Sequence, residues 1–382
     1  MSIVLPSNSR HKINTPSRVT LPEDLIIEIL SLLNVESLTQ LKCVSKSWNS
    51  IISDSFFVKM HLDKSSRIPH VGLFFSHHGK FVSLHIFPIS CLLENPYIFK
   101  NYSKYQLMKL RPFYNVIGSC NGLICLLSSC KNEFHLWNPA TNVPFSENLG
   151  SFRLSFQHKK TYFRFSFGYD NLTNKYKLVA FSSKEVRVFT FGHNVWKNIQ
   201  FFSAYPYHYR KNNGVYLSNS FNWFALLNNK CFYNKDLNVE QLVIISLDLA
   251  TETYTQFQLP REFDELPYLP PIVCKLLDSL CFYHYTKDGG FVIWQMKEFG
   301  VKKSWTKFLQ FDYHSLFDCS GCTVHLLPLH VFENGDMLIL EINNGHLIHY
   351  NRRDNEVVKT TYIIDISLSA SIPYVESLVS TF

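Results

Sequence analysis

The chain lacks an apolar run of about 18 residues, the minimum for a helix that crosses a bilayer, so no membrane partner is expected. Its opening MSIVLPSNSRHKINTPSR has no apolar core of signal-peptide length, so no leader is expected either. Cysteine is sparse: ten residues in 382 are too dilute for a disulfide scaffold. Several lie in apolar runs such as LICLLSSC and SLCFYHY, where they read as small buried hydrophobes. Residence in the cytoplasm or nucleus is the expectation. Charge is low at 18%, and the excess of +7 (37 basic against 30 acidic residues) is scattered. The densest basic run is His158-Lys159-Lys160, and Lys302-Lys303 stands among apolar neighbours. A nucleic-acid binder concentrates its cations on one face, so no nucleic acid is expected as a partner.

Signatures of catalysis are missing too. No GxSxG, HExxH, GxGxxG or GxxxxGK[ST] is present. Cys319 and Cys322 form one CxxC, and His314, His325 and His330 lie nearby in no standard zinc order. His77-His78, and His61 with Asp63, are neighbours that 16 histidines produce without purpose. Glu262, Asp264 and Glu265 stand between Pro260 and Pro267 and read as a solvated loop. No catalytic residue, metal or cofactor is expected.

What the chain does hold is aromatic weight. Phe, Tyr and Trp make up 15% of it, with 33 Phe and 20 Tyr, which argues against disorder and for strand-rich packing. Its 382 residues are comfortable for two cores.

The front differs from the rest. In LPEDLIIEILSLLNVESLTQLKCVSKSWNSII, Pro22 suits a first helical position, and Glu23 and Asp24 suit the positive end of the helix dipole. Leu25, Ile26, Ile29, Leu30 and Leu33 recur at helical spacing. Asn34-Val35-Glu36 interrupts the pattern, and Ser37 with Gln40 forms an S-x-x-Q capping box that restarts it. Leu38, Leu41, Val44, Trp48 and Ile51 or Ile52 make the next stripe, and Asp54 can open a third short helix. A unit of about 40 residues has little interior. Its surplus apolar side chains pack on the following domain or dock on another protein.

These residues carry a resemblance. Leu21-Pro22, Asp24-Leu25, Ile29-Leu30, Leu38, Leu41 and the run Lys42-Cys43-Val44-Ser45-Lys46-Ser47-Trp48 resemble an F-box. The resemblance implies binding to the adaptor Skp1, and through it to a cullin and a RING protein in an SCF ubiquitin ligase. It further implies that Leu21, Pro22, Leu25, Ile29, Leu30, Leu38, Leu41 and Val44 contact the adaptor or shape the surface that does. Trp48 anchors the helices to one another or faces the adaptor.

The remainder alternates short strand signals with turn residues, among them VGLFFS and FVSLHIF, NGLICLLSS and EFHLWNPAT, YKLVAFSS and EVRVFTF. A theme recurs: a buried strand after a turn (NGLICL, NSFNWFAL, DSLCFYHY, NGDMLILE), a second ending near Asn or Asp (HLWNPAT, IISLDLATE, LIHYNRR), and a third with an aromatic (VWKNI, SWTKF). Such repetition points to a β-propeller with irregular blades. A two-sheet sandwich or a large barrel is the alternative. GSCNGLICL, LWNPAT, FGYDNLTNKYKLVAF, VYLSNSFNWFAL, VIISLDLATETYTQFQLP and YVESLV resemble the F-box-associated domain of plant F-box proteins, often called F-box/kelch-repeat proteins. Paired glycines of ordinary kelch repeats are nearly absent, with Gly289-Gly290 the sole doublet, so "kelch" is a loose label. In that family the domain recruits the protein to be ubiquitinated.

The expected organisation is an α+β multidomain chain: a flexible tail over 1–17, an all-α F-box over 18–62, a short connection over 63–70, and an all-β, propeller-like, substrate-recruiting domain over 71–378. The expected role is the non-catalytic substrate receptor of an SCF ligase; the alternative is a scaffold that binds Skp1 or other proteins without cullin-dependent transfer. Two loops are candidates for gripping the target. One is 201–209 (FFSAYPYHY), with Tyr205, Tyr207 and Tyr209; the other is 262–271.

Overall fold

Local capping sets the helical boundaries at the front. The computed structural model describes residues 21–65, 70–77, 81–94, 97–98, 114–128, 133–141, 150–151, 163–182, 184–206, 214–227, 237–313, 324–332, 334–342, 346–363 and 367–380. The front unit is four helices: α1 (Glu23–Leu30), α2 (Val35–Leu41), α3 (Lys46–Ser53) and α4 (Ser55–Ser65). Pro22 is the N-cap of α1 rather than its first helical residue, and Glu23 and Asp24 do occupy the first turn. The expected restart at Ser37 is corrected. The Asn34 side chain accepts the Ser37 N–H at 2.8 Å, so α2 begins at Val35 and Ser37 lies inside it. The stripe expected to run through Trp48 also divides, because Ser45 accepts the Trp48 N–H at 3.1 Å and opens α3. Asp54 caps the start of α4 as expected, taking the N–H groups of Phe56 (2.9 Å) and Phe57 (3.3 Å).

The strands follow in sheet after sheet. First come β1 (His70–His77), β2 (Phe81–Pro88), a short helix α5 (Ile89–Glu94) and β3 (Tyr97–Ile98). Blade 2 is β4 (Tyr114–Cys120), β5 (Leu123–Ser128), β6 (Glu133–Trp137) and β7 (Gly150–Ser151). Blade 3 is β8 (Arg164–Asp170), β9 (Lys175–Phe181), β10 (Val186–Thr190) and β11 (Val195–Ile199). Blade 4 holds β12 (Ala204–Pro206), β13 (Val215–Leu217), β14 (Ser220–Leu227), β15 (Leu242–Asp248) and β16 (Tyr254–Phe257). Blade 5 is β17 (Ile272–Leu276), β18 (Ser279–Tyr285), β19 (Gly290–Met296) and β20 (Trp305–Asp312). Blade 6 is β21 (Leu326–Val331), β22 (Met337–Ile342), β23 (His346–Asn351) and β24 (Glu356–Ile363). The last strand, β25 (Ser367–Tyr374), returns to pair with β1, so blade 1 reads β2-β1-β25. β3 adds in parallel to the outer edge of blade 6, so among the described residues blade 1 has three strands and blade 6 five.

The sheets close into a ring, and each neighbouring pair shares a buried cluster. Leu84 and Ile86 of blade 1 meet Ile124 and Trp137 of blade 2. Phe134 meets Phe165 and Leu178 across blades 2 and 3; Phe181 meets Trp223 and Ile245 across 3 and 4. Phe224 meets Phe282 and Trp294 across 4 and 5; Ile293 meets Leu338 and Tyr350 across 5 and 6. Ile339 and Leu347 of blade 6 meet Val71 and Leu73 of blade 1, which completes the circle. This is a six-bladed β-propeller, not a sandwich or a barrel.

The recurring sequence theme now has a cause. Asn121-Gly122, Ser218-Asn219 and Leu277-Asp278 each have positive φ at both positions. These are the tight turns that match strand twist, and each feeds a buried second strand. At the ends of third strands, Asp248 Oδ1 accepts the N–H groups of Ala250 (2.9 Å) and Thr251 (2.8 Å), and Asn351 Oδ1 those of Arg353 (2.9 Å) and Asp354 (3.2 Å). VWKNI and SWTKF are therefore fourth strands; the innermost strands β4, β8 and β21 escaped the pattern.

Candidate functional site

The helical unit builds a core from one side of its helices only. Leu30, Val35, Leu38, Ile51, Ile52 and Phe57 are buried together, with Ile26, Ile27, Leu33, Leu41 and Trp48 packed half-buried around them. The end of α1 is tied to α4: His61 Nε2 donates to the Leu33 carbonyl at 2.8 Å, and Lys64 Nζ donates to Ser31 Oγ at 2.5 Å. Burial lowers the His61 pKa, against the opposing pull of that carbonyl, and the ring serves as a brace between α1 and α4.

The other side of the same helices stays open. Leu21 is 56% exposed, Leu25 46%, Ile29 53% and Val44 64%, and Pro22 is exposed beside them. Leu25 and Ile29 are one helical turn apart, and Leu32, 73% exposed, continues their row. The nine residues singled out from sequence therefore divide. Leu21, Pro22, Leu25, Ile29 and Val44 form the open surface; Leu30 and Leu38 are its buried support; Leu41 and Trp48 lie at the margin. Sequence reasoning missed Leu32 and Phe56, the latter 71% exposed at the start of α4. Leu32 continues the Leu25–Ile29 spacing and could have been found; Phe56 carries no such signal.

The unit sits on a defined side of the propeller. Ala140, in the short turn Pro139–Thr141 after β6, and Leu378, beyond β25, join the helical core. That turn leads from the third to the fourth strand of blade 2. The β4–β5, β8–β9, β13–β14 and β17–β18 turns share its side, because alternate strands run antiparallel. The β18–β19 turn lies on the opposite side, as do the described links 200–203 and 258–271 between blades.

Tyr205 belongs to that opposite side. It lies on β12, paired with Leu226 near the far end of β14, and is half-buried rather than displayed on a loop. Burial raises its phenol pKa, while the neighbouring Arg164, at the start of β8, pulls it down. Phe202 of the same segment is buried in the blade 3–4 cluster. Tyr207 and Tyr209 lie outside the described residues, as do Cys319, Cys322, His314, His78 and the run 158–160. In the 262–271 segment, Phe263 is buried against blades 4 and 5 and Tyr268 is 63% exposed. Among the described residues no group of three His, Cys, Asp or Glu side chains is placed to hold a metal ion, and no helix is long and apolar enough to cross a membrane.

Comparison with known families decides what this architecture is. Residues 90–381 match the F-box associated beta propeller domain, and residues 20–59 match the F-box domain. The chain belongs to the F-box-associated propeller family. An F-box/kelch-repeat protein of Arabidopsis thaliana is 27% identical over 87% of this chain and 87% of its own length. The F-box protein CPR1 of the same plant is 23% identical over 94% and 88%. A third F-box protein of Arabidopsis thaliana is 25% identical over 75% and 72%. This F-box protein thus has the two-part organisation of plant F-box proteins, with the F-box as a non-catalytic adaptor module.

Proposed function

We propose that this F-box protein is the substrate receptor of an SCF-type ubiquitin ligase. The open apolar row of the F-box binds a Skp1-like adaptor, which carries the cullin and RING subunits. The observation that supports this reading is the row itself: Leu21, Leu25, Ile29, Leu32 and Val44 stay exposed on a unit whose own core is already closed. Burying each such side chain is worth roughly 1.5–3 kcal/mol, enough for a few of them to dominate an interface.

The propeller recruits the target protein by the side turned away from the F-box. That side has the links between blades 3, 4 and 5, and loops on a rigid scaffold commonly carry recognition. The chain performs no bond chemistry. It supplies proximity, holding a target lysine near the ubiquitin thioester of a conjugating enzyme.

Reconstitution tests the reading. The full chain should copurify with a Skp1-like adaptor, and a Leu21/Pro22/Leu25 triple alanine variant should lose it. Equal recovery from both, with both folded, contradicts the proposal. Adding cullin, RING protein and a captured target should then give ubiquitin transfer; adaptor binding without transfer identifies a non-ligase scaffold.

A further inference from the structure

We infer that residues 375–380 form an orientation latch that fixes the F-box at one angle to the propeller. Ring closure does not need them: β25 ends at Tyr374, and its pairing with β1 is complete there. The residues beyond belong to no strand, yet their side chains and carbonyls engage three separate parts of the molecule.

Asn138 is the centre of the clasp and is 1% exposed. Its amide donates to the Ser377 carbonyl at 2.9 Å and to the Val379 carbonyl at 2.8 Å. Its Oδ1 accepts the Ala140 N–H at 3.0 Å and the Tyr374 hydroxyl at 3.4 Å. All four functions of the carboxamide are used, so no other side chain substitutes for it. Ser377 Oγ donates to the Asn121 carbonyl at 2.8 Å. Gly122 beside it has φ +81°, and a Cβ there would fall 2.2 Å from Ser377 Oγ, so the turn is shaped to receive the segment. Glu376 meets His70, the first residue of β1, at 3.4 Å, with both side chains buried.

Leu378 then reaches the other way. It lies in the F-box core with Leu30, Val35, Leu38, Ile52 and Phe57, beside Ala140. One segment is thus hydrogen-bonded to blade 2, paired to blade 1 and inserted into the F-box. Angle matters because proximity catalysis needs the target lysine held at a defined place, and angstrom-scale misplacement is costly. That consequence rests on the receptor reading above; the latch itself does not.

Full-length Leu378→Ala and Asn138→Asp test it. The second is nearly isosteric but turns two donors into acceptors facing two carbonyls. Small-angle X-ray scattering of the wild type should fit one rigid arrangement, and both variants should show a larger maximum dimension. Hydrogen exchange in α2 and in residues 139–141 should accelerate about tenfold or more, as expected when a docked unit opens locally, with β14, β18 and β22 unchanged. Capture of a Skp1-like adaptor should stay within about twofold, since local opening leaves the apolar row intact. Unchanged scattering and exchange in both variants would overturn the latch. So would faster exchange throughout blades 1 and 2 in Leu378→Ala, which leaves the blade hydrogen bonds intact, because the segment would then be part of ring closure. A wild type that captures no adaptor removes the receptor reading and leaves the scattering result to decide the latch by itself.

Discussion

The F-box and the propeller use the same apolar residues and give them opposite fates. In the propeller every blade has two neighbours, so Phe181, Trp223 and Ile245 are buried from both directions. The F-box has a neighbour on one side only. Its Leu30 and Leu38 are sealed while Leu25 and Ile29, on the same short helices or one turn away, face solvent. Closure converts apolar side chains into stability; an open face leaves them for recognition.

The sharpest way to break this contrast is a cavity in the ring. Trp223 is fully buried, donates from Nε1 to Ser166 Oγ at 3.1 Å and touches the rings of Phe181, Phe202 and Phe221. Trp223→Ala should cost about 3–5 kcal/mol of stability in chemical denaturation. Lys177→Met should cost a similar 3–5 kcal/mol, because it leaves the buried Asp170 carboxylate without its counter-charge. Lys177 Nζ donates to the Leu249 carbonyl at 2.5 Å and to Glu252 at 3.2 Å, both of blade 4, and to Asp170 of its own blade at 3.1 Å, so it ties blade 3 to blade 4.

Within the F-box the contrast reduces to neighbouring residues. Leu30→Ala should destabilise by about 2–5 kcal/mol. Ile29→Asp should leave the denaturation midpoint within about 0.5 kcal/mol yet reduce adaptor capture at least tenfold. If both variants lose stability equally, the open face is part of the fold.

Why the sequence could not separate Leu30 from Ile29 is physical. Both lie on an apolar stripe wider than one face, and helical period marks a residue as apolar without saying which neighbour covers it. The α2–α3 break was hidden for a related reason: Lys42 to Lys46 has neither glycine nor proline, and the Ser45 cap is one hydroxyl. Strands two to four of the blades were legible through their turns. The inner strands β4, β8 and β21 were not, since a strand such as β4 alternates poorly between exposed and buried positions. The β1–β25 pairing spans nearly the whole chain, beyond the reach of any local pattern. Asn138 and Ser377 stand out as family-like motifs in sequence, but only the fold brings them together.

Acid should act on the propeller through its buried histidines. Burial, with Lys307 adding to it and a backbone hydrogen bond opposing, lowers His284 to about 4; burial and Lys359 lower His349 to about 4. Both rings are neutral in the fold, and the unfolded chain binds protons first. Stability is therefore complete above about pH 6.5 and falls as pH drops from there toward 4. Thermal melts across that window check it, and His349→Gln should flatten part of the slope.

The smallest effect belongs to the propeller's isolated exposed residues. Leu172, 76% exposed in the β8–β9 turn, is one of them. Leu172→Ser should change stability by less than about 0.5 kcal/mol and leave adaptor capture untouched. A large loss of capture would mean that the docking surface extends onto blade 3.

The most direct measurement is a calorimetric titration of a Skp1-like adaptor into the full chain at several temperatures, comparing wild type with Leu25→Ala/Ile29→Ala. Burial of the open row predicts a negative heat-capacity change for the wild type, smaller in magnitude for the variant, with affinity reduced at least about tenfold and an unchanged melting temperature. Equal affinity and equal heat-capacity change would contradict the claim that this face carries the partner.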